Sequence, residues 1–299
     1  MLPFFGELAA LGTSFCWAGG TILFALSGRL IGSYNVNKLR IPIAAAFLAV
    51  VLLAVHGSLF PSGYDQKALI YLTLSGIIGL AVGDTFYFRC LVILGPRLGS
   101  LMMALAPVMT ALCAYFLIGE RLGLMAIGGI LVTLTGVAWV TTDRKDENID
   151  RREGSKAFGV LMGVGGAAGQ ALGLVLAKEG MGETFDPMSA TLIRMITATI
   201  SIWLVAACRG EIISTIKSLT SKKAIYAVLG ASFLGPTIGV WLSLVAVKYT
   251  EAGIAATLMS TFPVVVIPLA MAVHKERPTW RAIVGAIVAV AGVAMLFIE

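Results

Sequence analysis

The stretch "APVMTALCAYFLIGERL", Ala106 to Leu122, returns as "FPVVVIPLAMAVHKERP", Phe262 to Pro278. In each copy a proline sits in an apolar run and a Glu-Arg pair begins thirteen residues later, Pro107 to Glu120 and Pro263 to Glu276, and the copies stand 156 positions apart. The same offset carries "AIGGILVTLTGVA" (Ala126 to Ala138) onto "AIVGAIVAVAGVA" (Ala282 to Ala294). Arg40 and Arg194 correspond at a slightly different offset, as expected when loops drift in length. Self-similarity at a fixed spacing over several motifs marks an internal duplication.

Composition sets the solvent of the duplicated unit. The 299 residues are 58% apolar and 13% charged, with 34 glycines, against about 25% charged and about 7% glycine in soluble domains. Apolar stretches near twenty residues recur along the chain, each long enough to cross about 30 Å of hydrocarbon as a helix. They centre on residues 7–27, 35–56, 68–90, 98–118, 122–141, 157–178, 187–208, 223–247, 252–274 and 279–298. The reading is an all-α integral membrane protein of ten transmembrane helices. Residues 1–142 form one five-helix repeat and 157–299 the other, joined by a charged linker, "DRKDENIDRREGSK", over 143–156. Five is odd, so two like halves must enter the membrane from opposite sides, which makes the repeats inverted. Inverted repeats are a recurring design of secondary transporters, with the binding site near mid-depth between them. The N-terminus lacks a basic n-region and is expected to be retained as the first membrane helix.

The chain resembles the EamA-type branch of the drug/metabolite transporter superfamily. The resemblance rests on "CWAGG" in the first helix, Arg40 and Arg194 in the second helix of each half, "GDTFYF" in the third, and the two Pro to Glu-Arg segments. It implies transport of small metabolites, with amino-acid export among the activities of relatives, and a multi-pass place in the cell (inner) membrane.

Intramembrane charge points to the site, because an ionised side chain at helix centre costs about 2.5–3.5 kcal/mol and is rarely kept without a partner or a task. Arg40 and Arg194 lie well inside their helices, and Asp84 lies deep in an apolar run. Asp84 has three open roles: pairing with either arginine, binding a cationic group, or taking up a proton as coupling ion. Lys38 is shallower and expected to reach the interface. Helical spacing puts Thr13, Trp17, Thr21 and Phe24 on one face of the first helix and Asp84, Tyr87 and Phe88 on one of the third. Gln170 is the lone amide of the sixth helix, among Gly165, Gly169 and Gly173, a stripe suited to close helix contact. Trp241 in the eighth helix, beside Pro236 and Thr237, and Thr257, Ser260 and Thr261 in the ninth complete the expected wall. The substrate-binding set is therefore Trp17, Arg40, Asp84, Tyr87, Gln170, Arg194 and Trp241. Pro107 and Pro263 each remove one backbone hydrogen bond and are expected to kink or gate the fourth and ninth helices. Glu120 and Glu276 are expected to cap the helix that follows each of them.

No cofactor is expected. The sequence has no P-loop for direct use of ATP. His56 and His274 sit apart at the ends of stretches, and the four cysteines have no CxxC spacing. Nucleic acid is excluded as a partner; a small-molecule substrate, the bilayer and protons remain. Two other functions fit parts of the chain. A lipid-linked sugar flippase would use the same fold, and Tyr64-Asp65 followed by "AVGD" (Ala81 to Asp84) faintly resembles an intramembrane aspartyl protease. Orientation stays open between two arguments. Loop lysines and arginines favour termini outside the cytoplasm, whereas ten-helix relatives keep theirs in the cytosol.

Overall fold

The computed structural model describes residues 3–58, 65–142, 155–219, 221–262, 264–265 and 279–297, apart from a few side chains within them. Among these residues the chain is helical, with no strand. The first half comprises α1 (Phe5–Ile31), α2 (Ser33–His56), a run of α3 (Gln66–Ser75), π1 (Gly76–Gly83) and α4 (Asp84–Met103), then α5 (Ala106–Ile118) and α6 (Leu124–Thr142). The second comprises α7 (Lys156–Met181), α8 (Pro187–Cys208), the short α9 (Ile212–Lys217), and a run of α10 (Lys222–Ser232), π2 (Phe233–Gly239) and α11 (Val240–Tyr249). It closes with α12 (Ala252–Met259) and α13 (Trp280–Leu296).

Among the described residues, six helical runs are long and apolar enough to cross a membrane, and three shorter apolar helices accompany them. The later part of the ninth expected span, from 266 on, with Pro263, Glu276 and Arg277, lies outside the described residues, as do the linker from 143 to 154 and Tyr64. The outer surface is apolar: Phe116, Leu131, Leu204 and Ile287 are each more than half exposed. Such a surface is stable against lipid and unfavourable against water.

The inversion is visible in contacts at one end of the bundle. Thr250, where α11 gives way to α12, donates its hydroxyl to the Glu7 carboxylate at the start of α1, at 2.9 Å. Lys178, near the end of α7, donates to the Thr250 carbonyl at 2.6 Å. The first helix of one half therefore begins where the first helix of the other finishes. Partners are exchanged in kind across the halves: α1 packs on α10, π2 and α11, while α7 packs on α3, π1 and α4, with α2 against α8 and α6 against α13. Reciprocal pairing of this sort is what a twofold relation requires.

Both third runs carry a π-helical segment in equivalent places, π1 and π2 being related by the 156-residue offset over Ile77 to Gly83 and Phe233 to Gly239. π segments are rare and cluster at functional sites. Glycines let the widened turns pack. A Cβ on Gly169 of α7 would meet the Gly83 Cα at 2.7 Å, and one on Gly173 would meet the Gly79 Cα at 2.7 Å. Only bare backbone allows that approach, and there Ser75 Oγ donates to the Gly173 carbonyl. Gly165 faces the Phe86 ring instead.

The expected gap between third and fourth helices takes a compact form. Helical structure is continuous from Asp84 to Met103, yet a Cβ on Gly99 would lie 3.5 Å from the Leu91 Cα, where eight residues of straight helix rise about 12 Å. The chain therefore doubles back in between, and Cys90 and Met102 meet across Gly163. Pro107 stands where the fourth expected span is interrupted. It occupies the first turn of α5 after a break at Ala104 and Leu105, where its missing N–H leaves no bond unmade.

Candidate functional site

Asp84 opens α4 directly after π1 and is buried, 5% exposed. One carboxylate oxygen accepts from Arg40 Nη2, and the other accepts from Gln170 Nε2 at 2.5 Å. Arg40 is braced from behind, its Nε donating to Asn37 Oδ1 at 3.0 Å. Its guanidinium lies over the Phe88 ring at 5.0 Å and the Phe24 ring at 5.7 Å, a cation–π sandwich that holds a charge away from water. Three residues chosen from sequence thus form one contact cluster, with Arg40 and Asp84 from the first half and Gln170 from the second.

Arg194 belongs to the same field without joining the cluster. It is 2% exposed, and its Nε and Nη1 have no hydrogen-bond partner among the described residues. Its Nη2 lies beside Gly79 of π1, 3.5 Å from where a Cβ there would stand. Asp84 acts on it through charge. Arg40 and Arg194 each lie seven residues, about 10 Å along a helix axis, from the start of their helices. Those starts are at opposite ends of the bundle, and Gln170 falls between, fourteen residues into α7.

The aromatic part of the expected set divides. Tyr87 stays with the charges: its ring meets Phe88 at 6.1 Å, and its backbone packs against Gly166. Trp17 lies against Gly239 of π2, and both Trp17 and Trp241 border an apolar core around Leu244 and Leu258. The hydroxyls of the expected wall are largely spent on their own helices. Thr13 donates to the Ala9 carbonyl, Thr237 to Ser232, Thr257 to Gly253 and Thr261 to Leu258. Thr21 likewise donates to the Trp17 carbonyl and is exposed, while Gly20 and Phe24 on either side of it pack against Gly235.

Where the central cavity was expected, the Arg40 side chain lies beside the Phe24 and Phe88 rings. Two cavities border other parts of the chain. One of about 260 Å³ is bordered by Phe4, Glu7, Arg121 and Glu251, and one of about 50 Å³ by Tyr71, Leu117 and Glu179.

Sequence reasoning missed a polar lock at the end holding the first cavity. Glu120 pairs with Lys178 at 2.5 Å, and its other oxygen accepts from Ala252 N at 2.9 Å. The carboxylate therefore caps α12 in the opposite half, rather than the helix that follows it in sequence. Duplicated Glu-Arg pairs announce a repeated feature, but only folding shows which helix start lies within reach. At the other end Lys38 is buried against Glu211 at 3.0 Å, with its ammonium over the Tyr34 ring, so it reaches the interface paired and covered.

The protease reading fails on geometry. Asp65 caps α3, accepting from Lys67 N at 3.1 Å. Asp84 comes nineteen residues later along the same helical run, roughly 28 Å at the usual rise, so the two carboxyls cannot share a proton.

A family model described as the EamA-like transporter family matches residues 4–142 and again 157–298. The uncharacterized protein PA1977 of Pseudomonas aeruginosa is 32% identical over 140 residues, 42% of this chain and 47% of that protein, so the match spans about half the length of that relative. The uncharacterized transporter YyaM of Bacillus subtilis is 25% identical over 258 residues, 85% of this chain and 81% of that one. A crystal structure described without a function shares the fold, with a TM-score of 0.76 at 18% identity, covering 98% of this chain and 96% of the other.

Proposed function

This chain belongs to the EamA-like transporter family, and from that premise we propose that it is a secondary transporter, working as an exporter in the cell (inner) membrane. It moves a small amphipathic metabolite, amino acids being the first class to test, by alternating access. Residues 1–142 and 157–299 act as the two rocking halves, with 143–156 as the tether.

The observation that carries this reading is the charge cluster built jointly by the halves, Arg40 and Asp84 from one and Gln170 from the other. A polar cluster inside lipid is expensive unless it has a task. One that spans the plane of relative motion changes its partners whenever that motion occurs. At the Glu120 end, Glu120, Lys178, Thr250 and Glu7 tie α1, α5, α7 and α12 together. At the Lys38 end the polar links among the described residues join α2 to α8 and α9. The structure is thus read as closed at the Glu120 end, with Trp17, Tyr87 and Trp241 available to an apolar group as the halves part. Separation would also strip Gln170 from Asp84 and move Arg194 away from it, leaving a buried carboxylate with fewer partners and readier to take a proton, which couples export to a pH gradient.

Reconstitution into liposomes with radiolabelled amino acids, with and without a pH gradient, tests the reading. Flux that depends on the gradient is expected, with the gradient dependence lost in Asp84→Asn. Absence of flux for every amino acid retires the substrate class, and gradient-driven accumulation by Asp84→Asn retires the coupling.

A further inference from the structure

The duplicated arginines are equivalent in sequence and unequal in structure. Arg40 has its counter-ion in Asp84 of the same half. Applying the 156-residue offset, the position equivalent to Asp84 in the second half is Val240, buried in the apolar cluster that also holds Leu192 and Met195, close neighbours of Arg194 in sequence. The second half therefore supplies no carboxylate where the first half does, and Arg194 Nε and Nη1 are left without partners among the described residues. Asp84, the carboxylate that acts on Arg194 from within the chain, already has both oxygens engaged by Arg40 and Gln170. Two guanidinium groups and one carboxylate leave a surplus of one positive charge in the interior.

We propose that Arg194 is a carboxylate-binding site, and that the ligand's carboxylate stands where a second aspartate would have stood. A guanidinium is planar, always charged and a multiple donor, so its matched partner is a two-oxygen anion. Gly79 brings bare backbone up to its Nη2, with no side chain from π1 at that point to compete for the guanidinium. The engaged state of Asp84 adds a specificity rule: its charge is already offset by Arg40 and each oxygen already accepts a hydrogen bond, so the ligand needs a single carboxylate and does not need an amine. This rests on the transport reading for its purpose but not for its test.

The test is binding to the purified full-length chain in detergent, read as ligand-dependent thermal stabilisation. The probes are alanine, leucine and phenylalanine, their deaminated acids propanoate, 4-methylpentanoate and 3-phenylpropanoate, their decarboxylated amines ethylamine, 3-methylbutylamine and 2-phenylethylamine, and sodium chloride. For at least one side chain, the acid is expected to bind within about threefold of the amino acid and the amine at least tenfold more weakly, with chloride not competing. Arg194→Gln is expected to weaken acid binding at least tenfold and Arg194→Lys by a smaller factor, both variants remaining monodisperse. The wild-type comparison stands even if the variants do not fold. The proposal is overturned if no carboxylate stabilises the wild type, if an amine binds as tightly as its acid, if chloride displaces the acid, or if a folded Arg194→Gln keeps acid affinity within twofold. Acid binding without flux in liposomes would retire the transport reading and leave this site standing.

Discussion

The third helical run of each half has the same backbone and different chemistry. Both runs widen into a π segment at the same repeat position, with glycines at Gly79 and Gly83 in one and at Gly235 and Gly239 in the other. The first run then presents Asp84 to Arg40 and Gln170, while the second presents Val240 to an apolar cluster. The glycine contacts differ as well. In the first run Gly79 and Gly83 face glycines of α7, whereas Gly239 of the second faces the Trp17 indole. Duplication supplied the π segment twice, and divergence at a handful of side chains left the carboxylate in the first half alone.

Replacing Asp84 by the residue of the equivalent position is the strongest way to break this comparison. Asp84→Val is expected to lose about 3–5 kcal/mol, because it strands the buried Arg40 charge rather than removing a pair. Unfolding in detergent monitored by intrinsic fluorescence gives the value, and a loss below about 1 kcal/mol would mean that the difference between the runs carries nothing. The glycine contacts come next. Gly169→Ala and Gly173→Ala are each expected to cost about 1–3 kcal/mol through overpacking against π1. Gly20→Ala, whose Cβ would meet Gly235 at 3.4 Å, should stay within about 1 kcal/mol of wild type because helix propensity offsets the tight fit. Equal losses on both sides would erase the distinction between the two interfaces.

A smaller effect separates the two ends of the bundle. Glu120→Gln keeps an acceptor for Ala252 N and loses the charge facing Lys178, for about 1 kcal/mol at a partly exposed pair. It is expected to speed labelling of a cysteine placed at Thr250 by a membrane-impermeant maleimide, and unchanged labelling would deny that this end is locked. The smallest effect is at the Lys38 end. The Glu211 carboxyl is held below its usual range, chiefly by the hydrogen bond from Lys38 and also by that ammonium's charge, against some opposing desolvation. A lowered folded-state value means that this contribution is present above the ordinary carboxylate range and is lost as pH falls through the lowered value. Stability measured from pH 6 downwards should therefore lose a small acid-side slope in Glu211→Gln, and an identical slope in both proteins would remove the assignment.

Much of the site was legible because charge in lipid is rare enough to count. Arg40 and Asp84 stood out on that ground and Gln170 as the lone amide of its helix, and the three meet. Asn37, which braces Arg40, and the reach of Glu120 to α12 were not legible, since a short polar residue or a carboxylate near a helix end has many candidate partners. Trp17 and Trp241 were grouped with the charges because helical spacing assigns a face but not a neighbour; packing placed them at the border of the apolar core. The π segments left only a faint trace, the paired glycines at matched offset, because a widened turn depends on what packs against it.

By itself the sequence determined that the chain is built of membrane-spanning helices and that it is built twice, since hydropathy and repeat spacing are properties of the chain order. Which arginine has a counter-ion, which glycines touch and which helix start Glu120 reaches were decided only by tertiary structure. Those outcomes depend on distances between helices far apart in sequence, and pairing at a few ångströms is set by packing that no local pattern encodes.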